Sequence, residues 1–202
     1  MELIFKLDHQ LFFLINNGLQ NPVFDAIMPI FTRLGEIWLM LPLLLPLLYF
    51  GDQNNFKKHL ILLAGGLILS ALAGRLVKYL VDRPRPLKEM SDLILAHKVY
   101  VHVLGAELRE YSFPSGHTIS AFSAATFLSF LFRRGAPLFF FIAILTGLSR
   151  IYVGAHFPLD VLGGMTIGIS VTAIFCFLAD RYYFKILFQP SGPCSEKGKS
   201  SG

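Results

Sequence analysis

Residues 60–80 read Leu-Ile-Leu-Leu-Ala-Gly-Gly-Leu-Ile-Leu-Ser-Ala-Leu-Ala-Gly-Arg-Leu-Val-Lys-Tyr-Leu, with Arg75 and Lys78 as the only charges. A transmembrane helix needs about 20 mostly apolar residues, so this stretch predicts a membrane span with both charges near its end. Apolar runs at 118–132, 137–151 and 161–178 predict three more spans, and 38–50 a fifth. Arg133-Arg134 closes the first of these runs and Asp180-Arg181 the last.

The whole chain agrees with that reading. Of its 202 residues 54% are hydrophobic and only 15% charged, and the mean hydropathy is +0.58. Soluble domains carry about a quarter charged residues. The length predicts one compact bundle over residues 1–190, followed by a polar tail at 191–202 built of Ser, Gly, Pro, Cys, Glu and Lys. Cys176 lies in an apolar run and Cys194 in the tail, which predicts neither a disulfide nor a cysteine metal site. The net charge of +5 in so apolar a chain fits basic membrane flanks and anion-binding groups, not nucleic acid. The start, Met1-Glu2-Leu3-Ile4-Phe5-Lys6, lacks the basic region and small-residue cleavage site of a signal peptide.

Residues 3–15 set Phe5, Leu7, Leu11, Phe12 and Ile15 among Lys6, Asp8, His9 and Gln10, the spacing of an amphipathic helix at the membrane surface. Asn16-Asn17-Gly18 and Asn21-Pro22 end it, and residues 23–31 predict a second short helix. The expected fold is therefore an all-α polytopic membrane helix bundle of five to six spans with an N-terminal amphipathic helix. Lys57-Lys58, Arg133-Arg134 and Arg181 with Lys185 fall on one face in alternating topology, and the positive-inside rule makes that face cytoplasmic. The segment 81–113 and the turn 152–158 then face outward. The outer segment mixes charge with apolar residues, which predicts a surface helix or lid.

Polar residues gather at the outward ends of the spans. Lys78 precedes Arg83-Pro84-Arg85-Pro86; because Pro84 cannot continue a helix, Lys78 sits on the last turns and Arg85 just beyond, both within reach of one anion. Pro114-Ser115-Gly116-His117 opens a helix, with Ser115 as a candidate cap and Gly116 open to close approach by a ligand. Helix N-termini bind phosphate, and His117 stands there as a candidate proton donor. Ser149-Arg150 ends a span, and His156 follows, with Asp160 four residues on. That spacing lets Asp160 hold one ring nitrogen while the other attacks.

The order is Lys, six residues, Arg-Pro; then Pro-Ser-Gly-His; then Ser-Arg, five residues, His, three residues, Asp. It resembles the type 2 phosphatidic acid phosphatase (PAP2) family, which shares its site with vanadium haloperoxidases. The likeness runs from Lys78 to Asp160 without departure from the motif residues. It implies phosphoryl transfer through a phosphohistidine, without metal or other cofactor. His156 is then the nucleophile, Asp160 its orienting partner and His117 the proton donor. Lys78, Arg85, Ser115, Gly116 and Arg150 hold the phosphoryl oxygens.

A lipid phosphate in the surrounding membrane is the expected partner, with no obligate protein partner. The size and outward site resemble bacterial inner-membrane members that act on undecaprenyl diphosphate; phosphatidylglycerophosphate, phosphatidate and lipid A 1-phosphate are alternatives. A lipid or anion transporter of the same fold and a phosphatase for soluble sugar phosphates are the rival classes. His9, His59, His97 and His102 are expected to be interfacial or loop residues. Arg33 and Glu36 are expected to pair along a helix, or else to line the entrance to the site.

Overall fold

The computed structural model describes residues 2–184. The boundary expected near residue 190 and the tail 191–202, with Cys194, lie outside the described residues. No strand occurs among the described residues. The chain runs through α1 (Glu2–Asn16), α2 (Pro22–Leu34), α3 (Ile37–Gly51), α4 (Phe56–Val81), α5 (Pro86–Glu89), α6 (Ser91–Leu95), α7 (Gly116–Leu131), α8 (Ala136–Tyr152) and α9 (Pro158–Ala179).

α7 is the central helix, packed by α4, α8 and α9. Two glycines on α9 allow that contact. A Cβ at Gly164 would lie 2.7 Å from the carbonyl oxygen of Ser115, and one at Gly168 would lie 2.7 Å from that of Ile119. Small residues spaced four apart let membrane helices approach backbone to backbone. The opposite end of the core holds Leu48, Leu62, Leu63, Phe127 and Cys176.

The segments containing α4, α8 and α9 are each long and apolar enough to cross a membrane, and α2 with α3 makes a fourth as a pair bent by 71°. The described residues therefore give three to four spans by this measure, fewer than the expected five to six. α7 falls outside that count on length, although it runs from the Ser115 end of the bundle to the Arg133-Arg134 end. Its 16 residues extend only about 24 Å at 1.5 Å per residue, short of a hydrocarbon core of about 30 Å. The residues from Thr118 to Leu128 are all buried, so neighbouring helices, and not lipid, cover it. The fifth expected run, 38–50, falls in α3, which continues from α2 through the bend.

The bend sits at Gly35-Glu36 and presses on the first turn of α7. A Cβ at Gly35 would lie 2.7 Å from the His117 Cβ, and the Ser120 hydroxyl donates to the Gly35 carbonyl at 2.5 Å. Asn21 starts α2 by accepting from the amides of Val23 and Phe24, both at 3.0 Å, ahead of Pro22 at the first helical position.

α1 turns its polar residues inward. Asp8, Phe12 and Asn16 are buried, while Leu3, Ile4, Leu7, Leu11 and Leu14 are exposed. It is thus docked against α8 and α9, not simply laid on a surface. Asn16 bridges three elements: its Nδ2 donates to the carbonyls of His102 and Tyr152 at 2.8 and 2.7 Å, and its Oδ1 accepts from the His102 amide at 2.8 Å. The expected surface helix at 81–113 is two short helices, α5 and α6, followed by irregular chain. Met90 and Val101 from that segment pack with Phe12, Ile151 and Phe157.

Of the histidines expected at interfacial or loop positions, two are buried, His102 in irregular chain and His59 near the start of α4. His102 is buried, its Nε2 2.8 Å from Asp25 Oδ1, which also accepts from the Tyr152 hydroxyl at 2.5 Å. His59 is buried in α4 against Phe127. Both carry a ring through apolar packing with one polar edge satisfied or facing a carboxylate, which suits a core as well as a surface.

Candidate active site

α4 and α8 end, and α7 and α9 begin, at the same end of the bundle. That topology converges the three polar clusters. Lys78 lies on the last turn of α4 and donates to the Tyr111 carbonyl at 2.7 Å. Arg85 follows in extended backbone. Its Nε donates to the Glu110 carbonyl at 2.7 Å and its Nη1 to the Ala155 carbonyl at 3.1 Å. The same Nη1 lies 3.2 Å from His156 Nε2.

That last contact assigns the tautomer. A guanidinium only donates, so Nε2 accepts and carries the lone pair. The proton is then on Nδ1, which faces Asp160 Oδ2 and the Ser112 hydroxyl, each at 3.5 Å. His156 is 1% exposed. Burial holds its imidazole down to about 3; Asp160 pulls the other way, and Arg85 and Arg150 add to the fall. The ring is neutral at neutral pH, with a lone pair on the nitrogen nearest the cations.

Asp160 is anchored on every side. Its Oδ2 accepts from the Phe157 amide at 2.8 Å and the Ser112 hydroxyl at 2.5 Å. Its Oδ1 accepts from Arg83 at 3.0 Å. Arg83 spans to Asp8, at 2.7 Å, and lies over the Phe157 ring at 4.2 Å. Asp8 in turn accepts from the Leu159 amide at 2.8 Å. Asp160 therefore does two things at once: it closes the first turn of α9 and faces the His156 ring.

Arg150 is 6% exposed and donates to the Thr32 hydroxyl at 2.8 Å, while its Nε is buried with no hydrogen-bond partner. A buried, unpaired guanidinium N–H is costly unless an acceptor arrives. Ser115 does not cap α7 with its side chain. Its hydroxyl instead accepts from the Thr118 hydroxyl at 2.9 Å, and its amide donates to the Asp160 carbonyl at 2.9 Å. Gly116 has open space where a Cβ would project.

His117 stands between two cavities. One, of about 610 Å³, is walled by Lys78, Gly116, His117 and apolar residues of α4. The other, of about 570 Å³, is walled by Thr32, Arg33, Glu36, His117 and Arg150. Glu36 borders both, with Oε1 3.8 Å from His117 Nε2. Arg33 and Glu36 form no ion pair among the described residues; they border the cavity instead. No group of three His, Cys, Asp or Glu side chains among the described residues is set to hold a metal ion.

Lys78, Arg85, His117, Arg150, His156 and Asp160 thus come together, with Ser115 and Gly116 at the edge. Reading the sequence did not single out Asp8 or Ser112, and it left Arg83 without a task. Its one signal was the charge of Asp8 inside an otherwise membrane-seeking helix.

A model of the PAP2 superfamily matches residues 59–183, more than half of the chain. The chain belongs to the PAP2 superfamily. It is a membrane phosphatase of that superfamily. Undecaprenyl-diphosphatase BcrC of Bacillus subtilis (strain 168) is 35% identical over 165 residues, covering 79% of this chain and 77% of that protein. LpxE of Aquifex aeolicus shares the structure with a TM-score of 0.69 and 33% identity, covering 84% of this chain and 94% of LpxE. A PAP2-type phosphatidylglycerolphosphate phosphatase from Bacillus subtilis shares the fold at a TM-score of 0.68 and 22% identity, over 90% of this chain and 89% of its own.

Proposed function

We propose that this PAP2 protein hydrolyses a lipid phosphate, undecaprenyl diphosphate or a close relative, through a phosphohistidine on His156. The observation that carries the reading is the lone pair of His156 Nε2, held 3.2 Å from Arg85 in a buried, neutral ring. On substrate binding, the Arg85 guanidinium moves its donation from Nε2 to a phosphoryl oxygen, which frees the lone pair for in-line attack. The Nε2–P bond forms and the P–O bond to the leaving group breaks, with His117 giving that oxygen its proton. Asp160 stabilises the imidazolium character that grows on the ring. Water then attacks phosphorus, His117 takes its proton, the P–N bond breaks and inorganic phosphate leaves.

Phosphoryl transfer needs chiefly positioning and charge stabilisation. Lys78, Arg85 and Arg150 supply three cations, the unpaired Nε of Arg150 a waiting donor, and the first amides of α7 at Gly116 the fourth group. The 35% identity to a protein named undecaprenyl-diphosphatase supports a lipid diphosphate. Phosphatidylglycerophosphate, phosphatidate and lipid A phosphates share the phosphoryl chemistry and remain rivals for the same site.

The proposed setting is a bacterial cytoplasmic membrane with the site on the outer side. Supporting it, Lys57-Lys58 at the start of α4, Arg133-Arg134 between α7 and α8, and Arg181 after α9 lie at helix ends opposite to those that carry the site.

The test is phosphate release from a panel of lipid phosphates in detergent, with EDTA present, for the wild type and His156→Ala. Release by the wild type and none by the variant is expected. Retained activity in the variant, or loss of wild-type activity to EDTA that a divalent metal restores, contradicts the mechanism.

A further inference from the structure

Beyond the three cations assigned above, Arg75 borders the cavity that holds Lys78 and His117. Arg75 lies on α4, three residues before Lys78 and farther from the site end of the helix. It is exposed, yet among the described residues it has no ion-pair or hydrogen-bond partner. A guanidinium at membrane depth is expensive, and a functional role is the default expectation.

Arg75 borders the cavity of about 610 Å³ that also holds Lys78, Gly116 and His117. Glu36 and Ser120 also border it, and the remaining wall is apolar, with Leu67, Ile68 and Leu72 of α4 deeper than Arg75. Residues three apart share a helix face, and three residues advance a helix about 4.5 Å. The cavity is therefore graded. Lys78 and His117 stand at its polar end, Arg75 about one turn deeper, and aliphatic side chains beyond.

A lipid diphosphate has the same order. Its terminal phosphoryl group is farthest from the hydrocarbon, the second phosphate comes next, and the chain follows. With the terminal phosphorus at His156, the second phosphate points toward the apolar end of the cavity, which is the direction of Arg75. Lys78, Arg85 and Arg150 are committed to the group being transferred, so the retained phosphate needs a cation of its own.

We propose that Arg75 is the specificity-determining residue for a lipid diphosphate, its guanidinium holding the phosphate that bears the chain. The inference rests on the site reading given above. When the Nε2–P bond forms and the bridging P–O bond breaks, negative charge grows on the departing lipid monophosphate. Arg75 neutralises that charge while His117 supplies the proton. A lipid monophosphate leaves as an alcohol and makes no demand on Arg75.

The experiment compares a polyprenyl diphosphate with the monophosphate of the same chain, in the same detergent, for the wild type, Arg75→Gln, Arg75→Lys and His156→Ala. Arg75→Gln is expected to lower kcat/KM for the diphosphate roughly 10- to 100-fold and to change the monophosphate less than about twofold. The retained monophosphate rate also shows that the variant is folded. Arg75→Lys keeps the charge and is expected to lower the diphosphate-to-monophosphate ratio about threefold. It decides the matter if the glutamine variant does not fold: an unchanged ratio overturns the proposal.

Equal losses on both substrates, or none on either, also overturn it. So does an Arg75→Gln defect that added phosphatidylglycerol removes from both substrates alike, since the arginine would then be gripping a bilayer headgroup. Failure of the site reading looks different: His156→Ala would keep activity on both substrates, whatever the Arg75 ratio.

Discussion

Asp8→Asn tests whether the N-terminal helix is clamped to the site or merely rests near it. Asp8 is 2% exposed and both its oxygens are engaged, Oδ2 with Arg83 at 2.7 Å and Oδ1 with the Leu159 amide at 2.8 Å. An asparagine amide can keep the Leu159 bond through its oxygen. Its NH2 group then faces the Arg83 Nη2, donor against donor, and the negative charge is gone. Breaking a buried ion pair from one side costs about 3–5 kcal/mol, and a charge-assisted hydrogen bond contributes about 1.5–3 kcal/mol. Arg83 retains Asp160 at 3.0 Å, so the lower figure applies, about 3 kcal/mol. In a chain of 202 residues each kcal/mol moves the midpoint about 2–4 °C, which gives a fall in Tm of about 6–12 °C in detergent. Asp160 keeps its bonds to Ser112 and the Phe157 amide, so kcat well below the midpoint falls less than about tenfold. Thermal unfolding followed by circular dichroism, beside initial rates at low temperature, checks both numbers. An unchanged midpoint refutes the clamp. A loss of kcat as large as that of Asp160→Asn, at unchanged midpoint, refutes it too and makes Asp8 a participant in the chemistry.

Two further outcomes follow from the site. The imidazole of His156 is held down to about 3, so the acid limb that this nucleophile imposes on kcat/KM lies near pH 3, well below the ordinary imidazole value of 6.5. The sign for stability is the same: the unfolded chain takes up the proton first, so the contribution of His156 is intact above pH 6.5 and lost as pH falls toward about 3. An acid limb near 6.5 that moves with Asp160→Asn contradicts this. Two glycine substitutions should separate packing from chemistry. Gly164→Ala sets a Cβ 2.7 Å from the Ser115 carbonyl and should lower stability by about 1–3 kcal/mol. Gly116→Ala meets nothing within 4 Å beyond its own chain neighbours and helix backbone; it should leave Tm unchanged and lower kcat/KM at least about tenfold by occupying phosphate space. Loss of stability in the second, measured by the same unfolding assay, rules out an open phosphate cradle there.

What was legible in the sequence was local. Lys78 with Arg85, the Pro-Ser-Gly-His run, and His156 with Asp160 each lie within one or two helical turns, and the alternating order of the spans places the three on a common end. Apolar runs likewise located α4, α8 and α9. The supports were not legible, because they arrive from far along the chain: Asp8 meets Arg83 across 75 positions and Leu159 across 151, and Ser112 meets Asp160 across 48. The amphipathic pattern of α1 was visible, but a pattern does not say whether its polar stripe faces water or protein. Here Asp8 and Asn16 face protein. Hydropathy is silent about lipid contact for a related reason. α7 is apolar because it is central, and hydropathy does not distinguish burial in protein from exposure to lipid.

The central claim is a phosphorus–nitrogen bond on His156, and trapping it is the most direct test. The enzyme is mixed with lipid diphosphate labelled in its terminal phosphate, quenched within one turnover in alkali, and digested for peptide mapping. The account predicts an alkali-stable, acid-labile phosphoryl group on His156 in the wild type, absent from His156→Ala and still formed in Asp8→Asn. A label on any other residue, or full single-turnover hydrolysis by His156→Ala, contradicts it.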